Sequence, residues 1–152
     1  MSSREPWPDM EAISRGSVMA ESRIQLDVVT PEKLAFSGQV EEVNLPGVLG
    51  EFGVLPGHTP FLSELRIGPM HFRQEGRLEW FALNRGIAEV TPSKVTVLVR
   101  TAESSREIDV ARAEASRSRA EQRLREKQEG VDVARAEASL QRALARLKVA
   151  RV

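Results

Sequence analysis

At 152 residues, 41% apolar and 5% aromatic, the chain suits one compact domain, or one domain with an appendage. Without cysteine it has neither a disulfide framework nor a thiolate metal site. Its net charge of zero is unevenly spread: residues 103–152 hold 12 Lys/Arg against 9 Asp/Glu (+3) and residues 1–102 hold 10 against 13 (−3), which fits an acidic partner or an anion and is too small an asymmetry for nucleic acid.

Residues 1–22 contain Pro6-Trp7-Pro8, scattered charges and no periodicity, and read as a disordered tail. The tail lacks the apolar run of a signal peptide and is too acidic for a transit peptide. No segment approaches the roughly 18–20 apolar residues of a membrane span, so any membrane association is expected through a partner. From Arg23 the pattern turns to short strands. Ile24, Leu26 and Val28 alternate with Gln25 and Asp27. Val40, Val43 and Leu45 mark a second strand, closed by Pro46-Gly47. Residues 50–60, dense in Gly and Pro, read as turns, and residues 61–67 as a strand ended by Gly68-Pro69. Glu75-Gly76 and Thr91-Pro92-Ser93 each signal a hairpin between flanking strands. Val95, Val97 and Val99 alternate with Thr96 and Leu98, so that strand is expected to be covered on both faces. The expectation for residues 23–102 is an all-β sandwich or flattened barrel.

Composition changes abruptly at residues 102–107, beyond which there is no proline and Gly130 is the only glycine. Asp-Val-Ala-Arg-Ala-Glu-Ala-Ser occurs twice, at 109–116 and 132–139. Each copy opens on an Asp suited to cap a helix and continues in strong helix formers, and Gly130 suits the left-handed end of the first helix. Residues 103–152 therefore read as a two-helix hairpin, with helices near 109–129 and 132–149. Ala136, Leu140, Ala143, Leu144 and Leu147 form one apolar stripe. Large apolar residues are few, so both a static cap on the β-domain and a hinged, two-state element fit this reading.

His58 and His71 lie in unrelated contexts without Cys or His at ligand spacing, so no metal site is expected. No nucleophile elbow, phosphate loop or dinucleotide fingerprint is present, and no catalytic residues are expected. The arginines remain. Asp109, Arg112, Ser116, Arg119 and Arg123 share one face of the first helix. Folded together, the helices are expected to bring Arg119, Arg142 and Arg146 around one anion, since guanidinium groups bind phosphate bidentately. The alternative is a solvated face paired with Glu114, Glu121, Glu126 and Glu137.

At these residues the chain resembles the epsilon subunit of F-type ATP synthase, over residues 23–152. The resemblance is carried by Leu26-Asp27-Val28-Val29-Thr30-Pro31-Glu32, Gly50-Glu51-Phe52-Gly53-Val54-Leu55-Pro56-Gly57-His58-Thr59-Pro60, Gly86-Ile87-Ala88-Glu89-Val90 with Val95-Thr96-Val97-Leu98, Ile108-Asp109-x-x-Arg112-Ala113 and Arg142-Ala143-x-x-Arg146-Leu147. One departure is Asn84-Arg85-Gly86, where the family usually has Ser-Gly-Gly; a turn needing φ > 0 at position 85 would be strained by arginine. The resemblance implies a β-sandwich that binds the gamma subunit and sits on the membrane ring of c subunits, with Glu51 and His58 as c-ring contacts, at the cytoplasmic face of a bacterial membrane. It implies a mobile hairpin that extends toward the catalytic beta subunits and blocks ATP hydrolysis. It also implies a regulatory ATP site at Glu103, Ile108, Asp109, Ala113, Arg119, Arg142 and Arg146. The rival readings are a free-standing adaptor whose hairpin binds a protein, and a stand-alone nucleotide sensor.

Overall fold

A computed structural model of the chain describes residues 22–126, 130 and 132–152. The expected tail, with Trp7, falls outside them apart from Ser22. Ten strands come first: β1 (Ile24–Val29), β2 (Leu34–Val40), β3 (Glu42–Gly47), β4 (Gly50–Val54), β5 (Phe61–Leu65), β6 (Gly68–Gln74), β7 (Arg77–Leu83), β8 (Gly86–Val90), β9 (Lys94–Val99) and β10 (Ala102–Ser104). Two helices follow, α1 (Val110–Glu126) and α2 (Val133–Ala150).

The strands run β10-β7-β6-β3-β5-β8-β9-β1-β2, with β4 paired to β3. Among the described residues only β1 and β9 pair in parallel. The sheet curls so that Phe36 of β2 meets Phe72 of β6, ring centres 4.4 Å apart, giving a sandwich that is nearly a closed barrel. Alternation fills the interior: Ile24, Leu26 and Val28 meet Val43, Met70, Phe72, Val95 and Val97, all buried in one cluster. The hairpin signal at Glu75-Gly76 is met by a two-residue loop between paired Gln74 and Arg77, with φ of 51° and 76°, the left-handed pair that a type I′ turn requires.

The structure departs from the expected strands at several places. β2 begins at Leu34 and keeps Val40, because Leu-Ala-Phe-Ser-Gly-Gln-Val buries only its last residue fully and shows no clean alternation. The Gly/Pro-rich segment contains β4, paired back on β3 with Gly47 opposite Gly50 across a turn at Val48 and Leu49. Gly68-Pro69 opens β6 and does not end a strand; Pro69 pairs with Ala82, while β3 joins β6 only from His71 onward, so no ladder partner loses a donor there. β9 is covered on one face only: Val95, Val97 and Val99 are buried, and Leu98 is exposed. Arg85 is spared the feared strain, since Glu75 is the one non-glycine with positive φ among the described residues. Its backbone N–H instead donates to Asn84 Oδ1 at 2.7 Å. Gly86 is fixed by crowding, because a Cβ there would run into the Leu98 carbonyl oxygen.

The sheet also passes the expected boundary after residue 102. Buried Ala102 pairs with Leu83, Glu103 with Ala82 and Ser104 with Phe81, so Glu103 is held on an edge strand. Both repeats then start helices alike. Asp109 Oδ1 accepts from Arg112 N and Asp132 Oδ1 from Arg135 N, each at 3.1 Å. Gly130 has φ 93°, the left-handed conformation expected of it.

α2 carries two buried faces. Ala145 and Val149 pack with Ile67 and Ala82, with Trp80, Ile108 and Ala138 at the margin. Ala136, Ala143 and Leu147 are buried on the side of α1, whose own buried residues are Ala113 and Ala120. Leu144, expected on the stripe, is exposed. A single stripe misses this because α2 is sandwiched between sheet and α1, while α1 makes its extensive contacts with α2 alone. Arg151 Nη2 and Glu114 Oε1, 2.8 Å apart, tie the end of α2 to the start of α1.

Candidate functional site

A polar cavity of about 290 Å³ opens where β10, α1 and α2 meet. Asp109, Arg112, Ala113, Ser116 and Arg119 line it from the first repeat and the turns after it. Glu103 and Glu107 enter from β10 and the link, and Arg146 from α2. Arg146 Nε donates to Glu103 Oε1 at 2.7 Å, with both side chains about one-third exposed. Arg119 Nη2 donates to Ser116 Oγ at 3.1 Å. Three carboxylates and three guanidinium groups balance in charge, so an anion entering here must draw the arginines from the acids. Donors and acceptors crowded in one cleft suit a ligand with both phosphate and polar ring atoms.

Five of the seven residues assigned from the resemblance thus share one cavity: Glu103, Asp109, Ala113, Arg119 and Arg146. Ile108 and Arg142 do not line it. Ile108 is half-buried beside the Ile67, Ala82, Ala145 and Val149 cluster, under the hairpin. Arg142 lines a neighbouring cavity of about 350 Å³ with Asn84, Arg85, Arg100, Asp132 and Arg135, and its Nη2 donates to Ser139 Oγ at 3.1 Å. The expected cluster of Arg119, Arg142 and Arg146 is therefore split between two cavities, because Arg142 faces the loops that carry Arg85 and Arg100. Glu107, Arg112 and Ser116 were absent from the assigned set. The i, i+3, i+7, i+10 spacing from Asp109 already placed Arg112 and Ser116 on the lining face.

Glu51 and His58 lie in different surroundings. Glu51 borders a small pocket with His71, Trp80 and Lys148, and its Oε1 is 3.8 Å from Arg66 Nη2. His58 Nδ1 is 2.9 Å from the Thr59 carbonyl, and its ring is 5.1 Å from that of Phe61. Among the described residues no three acids or histidines cluster as a metal site, and no helix is long and apolar enough to cross a membrane.

His71 packs against Trp80, ring centres 4.3 Å apart and the planes tilted by 33°, beneath the Lys148 end of α2. Burial pushes its pKa below the ordinary 6.5; Glu42 and Glu51 pull it up, and Arg73 and Lys148 push it further down. The unfolded chain therefore binds more protons than the folded one below 6.5, so stability rises with pH through that window and is flat above it. Lowering pH from about 7.5 to about 5.5 should lower the thermal midpoint. His71→Gln should remove that part of the pH dependence; identical pH profiles would show that His71 does not contribute.

On the sheet, a groove of about 940 Å³ runs between β1, β5, β8 and β9, lined by Val29, Leu65, Ile87, Leu98 and Val48. Arg66, Arg85 and Arg100 also line it. Beside it the β3–β4 turn holds Val48 and Leu49 in solvent, and Leu62 on β5 is 72% exposed. Contiguous exposed apolar surface of this kind marks a docking face.

The family described as "ATP synthase, Delta/Epsilon chain, beta-sandwich domain" matches residues 23–105, and "ATP synthase, Delta/Epsilon chain, long alpha-helix domain" matches residues 106–151. The ATP synthase epsilon chain of Nitratidesulfovibrio vulgaris is 50% identical over 104 residues, 68% of this chain and 78% of that one. That of Desulfosudis oleivorans is 51% identical over 107 residues, 70% and 80% of the two chains. Among solved structures, a chain of the Euglena gracilis mitochondrial ATP synthase (OSCP/F1/c-ring, rotational state 1) matches with TM-score 0.77 at 20% identity over 100% of both chains, a likeness of fold.

Proposed function

The chain belongs to the delta/epsilon family of ATP synthase subunits, as an epsilon subunit of the bacterial type, and on that premise we propose a non-catalytic rotor subunit whose hairpin senses ATP and restrains hydrolysis. The apolar groove and the Val48-Leu49 turn are the face assigned to the gamma subunit. The segment carrying Glu51 and His58 is assigned to the polar loops of the c-ring, which would hold the chain at the cytoplasmic face of the bacterial membrane without a span of its own. The basic hairpin, extended, is assigned to the catalytic beta subunits through charge complementarity.

The observation that carries the sensing is the shared cavity: Glu103, Asp109, Ala113, Arg119 and Arg146 come from β10, α1 and α2, and meet only while the hairpin is folded. A ligand there stabilises the folded arrangement by RT ln(1 + [ATP]/Kd). Falling ATP then releases the hairpin to its inhibitory position. ATP titrated into the full chain should give saturable binding by calorimetry. Arg119→Ala should weaken it by about 10-fold or more, as for loss of a charged hydrogen bond. Arg142→Ala, outside this cavity, should cost less. No heat at millimolar ATP would end the sensing claim, and equal losses in both variants would put the site elsewhere.

A further inference from the structure

The second cavity is lined from the second repeat as the first is from the first, but arginines take the place of the glutamates that face it. Asp132, Arg135 and Arg142 stand 23 residues after Asp109, Arg112 and Arg119, and the hydrogen bond of Arg142 to Ser139 copies that of Arg119 to Ser116. Where the first cavity has Glu103 and Glu107 opposite the repeat, the second has Arg85 and Arg100.

The sheet forces those two arginines together. The β8–β9 ladder ends on Gly86 paired with Val99, and just beyond it Arg100 N donates to Arg85 O (3.1 Å) and Asn84 N to Thr101 O (3.0 Å). Arg85 therefore stands directly opposite Arg100, and like charges in that relation repel. Among the described residues, four guanidinium groups surround the cavity with one carboxylate, and that one, on Asp132, already caps α2. None of the four makes an ion pair among the described residues.

We propose that Arg85, Arg100, Arg135 and Arg142 form a second anion site, suited to a multivalent oxyanion of the phosphate class and complete only while the hairpin is docked. Converging guanidinium forks match phosphate oxygens bidentately. A concave space of about 350 Å³ fits a compact anion better than a chain segment. Two of the arginines belong to the sheet loops and two to α2, so the anion bridges the domains and holds them together. Without it, their mutual repulsion loosens the docking. The site does not depend on nucleotide binding in the first cavity.

The full chain is tested by calorimetry and thermal unfolding with inorganic phosphate, tripolyphosphate or ATP, each against sodium chloride at matched ionic strength. Phosphate or tripolyphosphate should bind and raise the unfolding midpoint beyond the chloride control. Arg85→Ser and Arg100→Asn, both at exposed side chains, should each weaken binding about tenfold. Arg119→Ala should leave the phosphate effect intact. If ATP gives the Arg85-dependent shift and free phosphate does not, the oxyanion is the triphosphate of a nucleotide and the site stands. The proposal is overturned if chloride matches phosphate, or if neither sheet-loop variant changes either response. Arg85 and Arg100 also line the groove assigned to the gamma subunit, so the proposal is overturned too if Arg85→Ser impairs only binding of that subunit, which would give these arginines to a protein carboxylate.

Discussion

Val149→Asp should release the hairpin from the sheet while leaving the β-domain folded. Val149 is 0% exposed and packs with Ile67, Ala82 and Ala145, where no cation among the cluster residues could pair with a new carboxylate. Burying an unpaired carboxylate costs more than this small alanine-rich contact returns, so α2 should lift away and not accept the charge. Amide hydrogen exchange should then accelerate throughout α2 and α1 together, with Leu26, Val97 and Phe72 still protected. ATP affinity should fall by at least about tenfold, since Arg146 would leave Glu103 and the cavity would open. Val149→Ala removes two carbons at about 0.8 kcal/mol each and should leave the hairpin mostly docked. Protection of α2 unchanged by Val149→Asp would mean that the Ala145–Val149 face is not what holds the hairpin.

Ending the chain after Ser105 should raise ATP hydrolysis by the assembled complex roughly 5-fold or more, the lower end of ordinary allosteric coupling, with assembly intact. The position of the cut follows from β10. A stop after Thr101 would remove buried Ala102 and the pairing of Ala102–Ser104 with β7, and would injure the domain that must still assemble. A stop after Ser105 keeps those bonds and the one from Ser105 N to the Trp80 carbonyl. Hydrolysis unchanged by this shorter cut, with normal assembly, would make the hairpin a static cap.

What the sequence discloses here is local chemistry. The Glu75-Gly76 turn was legible because a two-residue loop with two positive φ angles suits very few residue pairs, and the Asp caps because the helix start asks for an acceptor there. β2, β4 and β10 were hidden because their stability comes from neighbours distant in sequence. Gly50–Val54 exists as a strand only because β3 lies beside it. Leu144 joined the expected stripe because spacing fixes a face of α2 and cannot say that two opposite faces are covered. Arg142 stands in the neighbouring cavity for a related reason. Its i, i+4 relation to Arg146 holds, but their partners differ: Glu103 is delivered by β10, whereas Arg85 and Arg100 are delivered by the end of the β8–β9 pair.

The link from β10 to α1 sets the radius of any swing. Only residues 105–109 separate the edge strand from the first helix, so a pivot there can move the helix base by no more than about 17 Å even when fully drawn out. Helices of 17 and 18 residues, laid end to end, add roughly 26 and 27 Å. The far tip could therefore stand some 50 Å or more from the sheet edge, while the base stays within about 17 Å of it. On the proposed release, the hairpin is a long lever on a short tether, and lengthening the tether by a few flexible residues should blur where the tip arrives without shortening its reach.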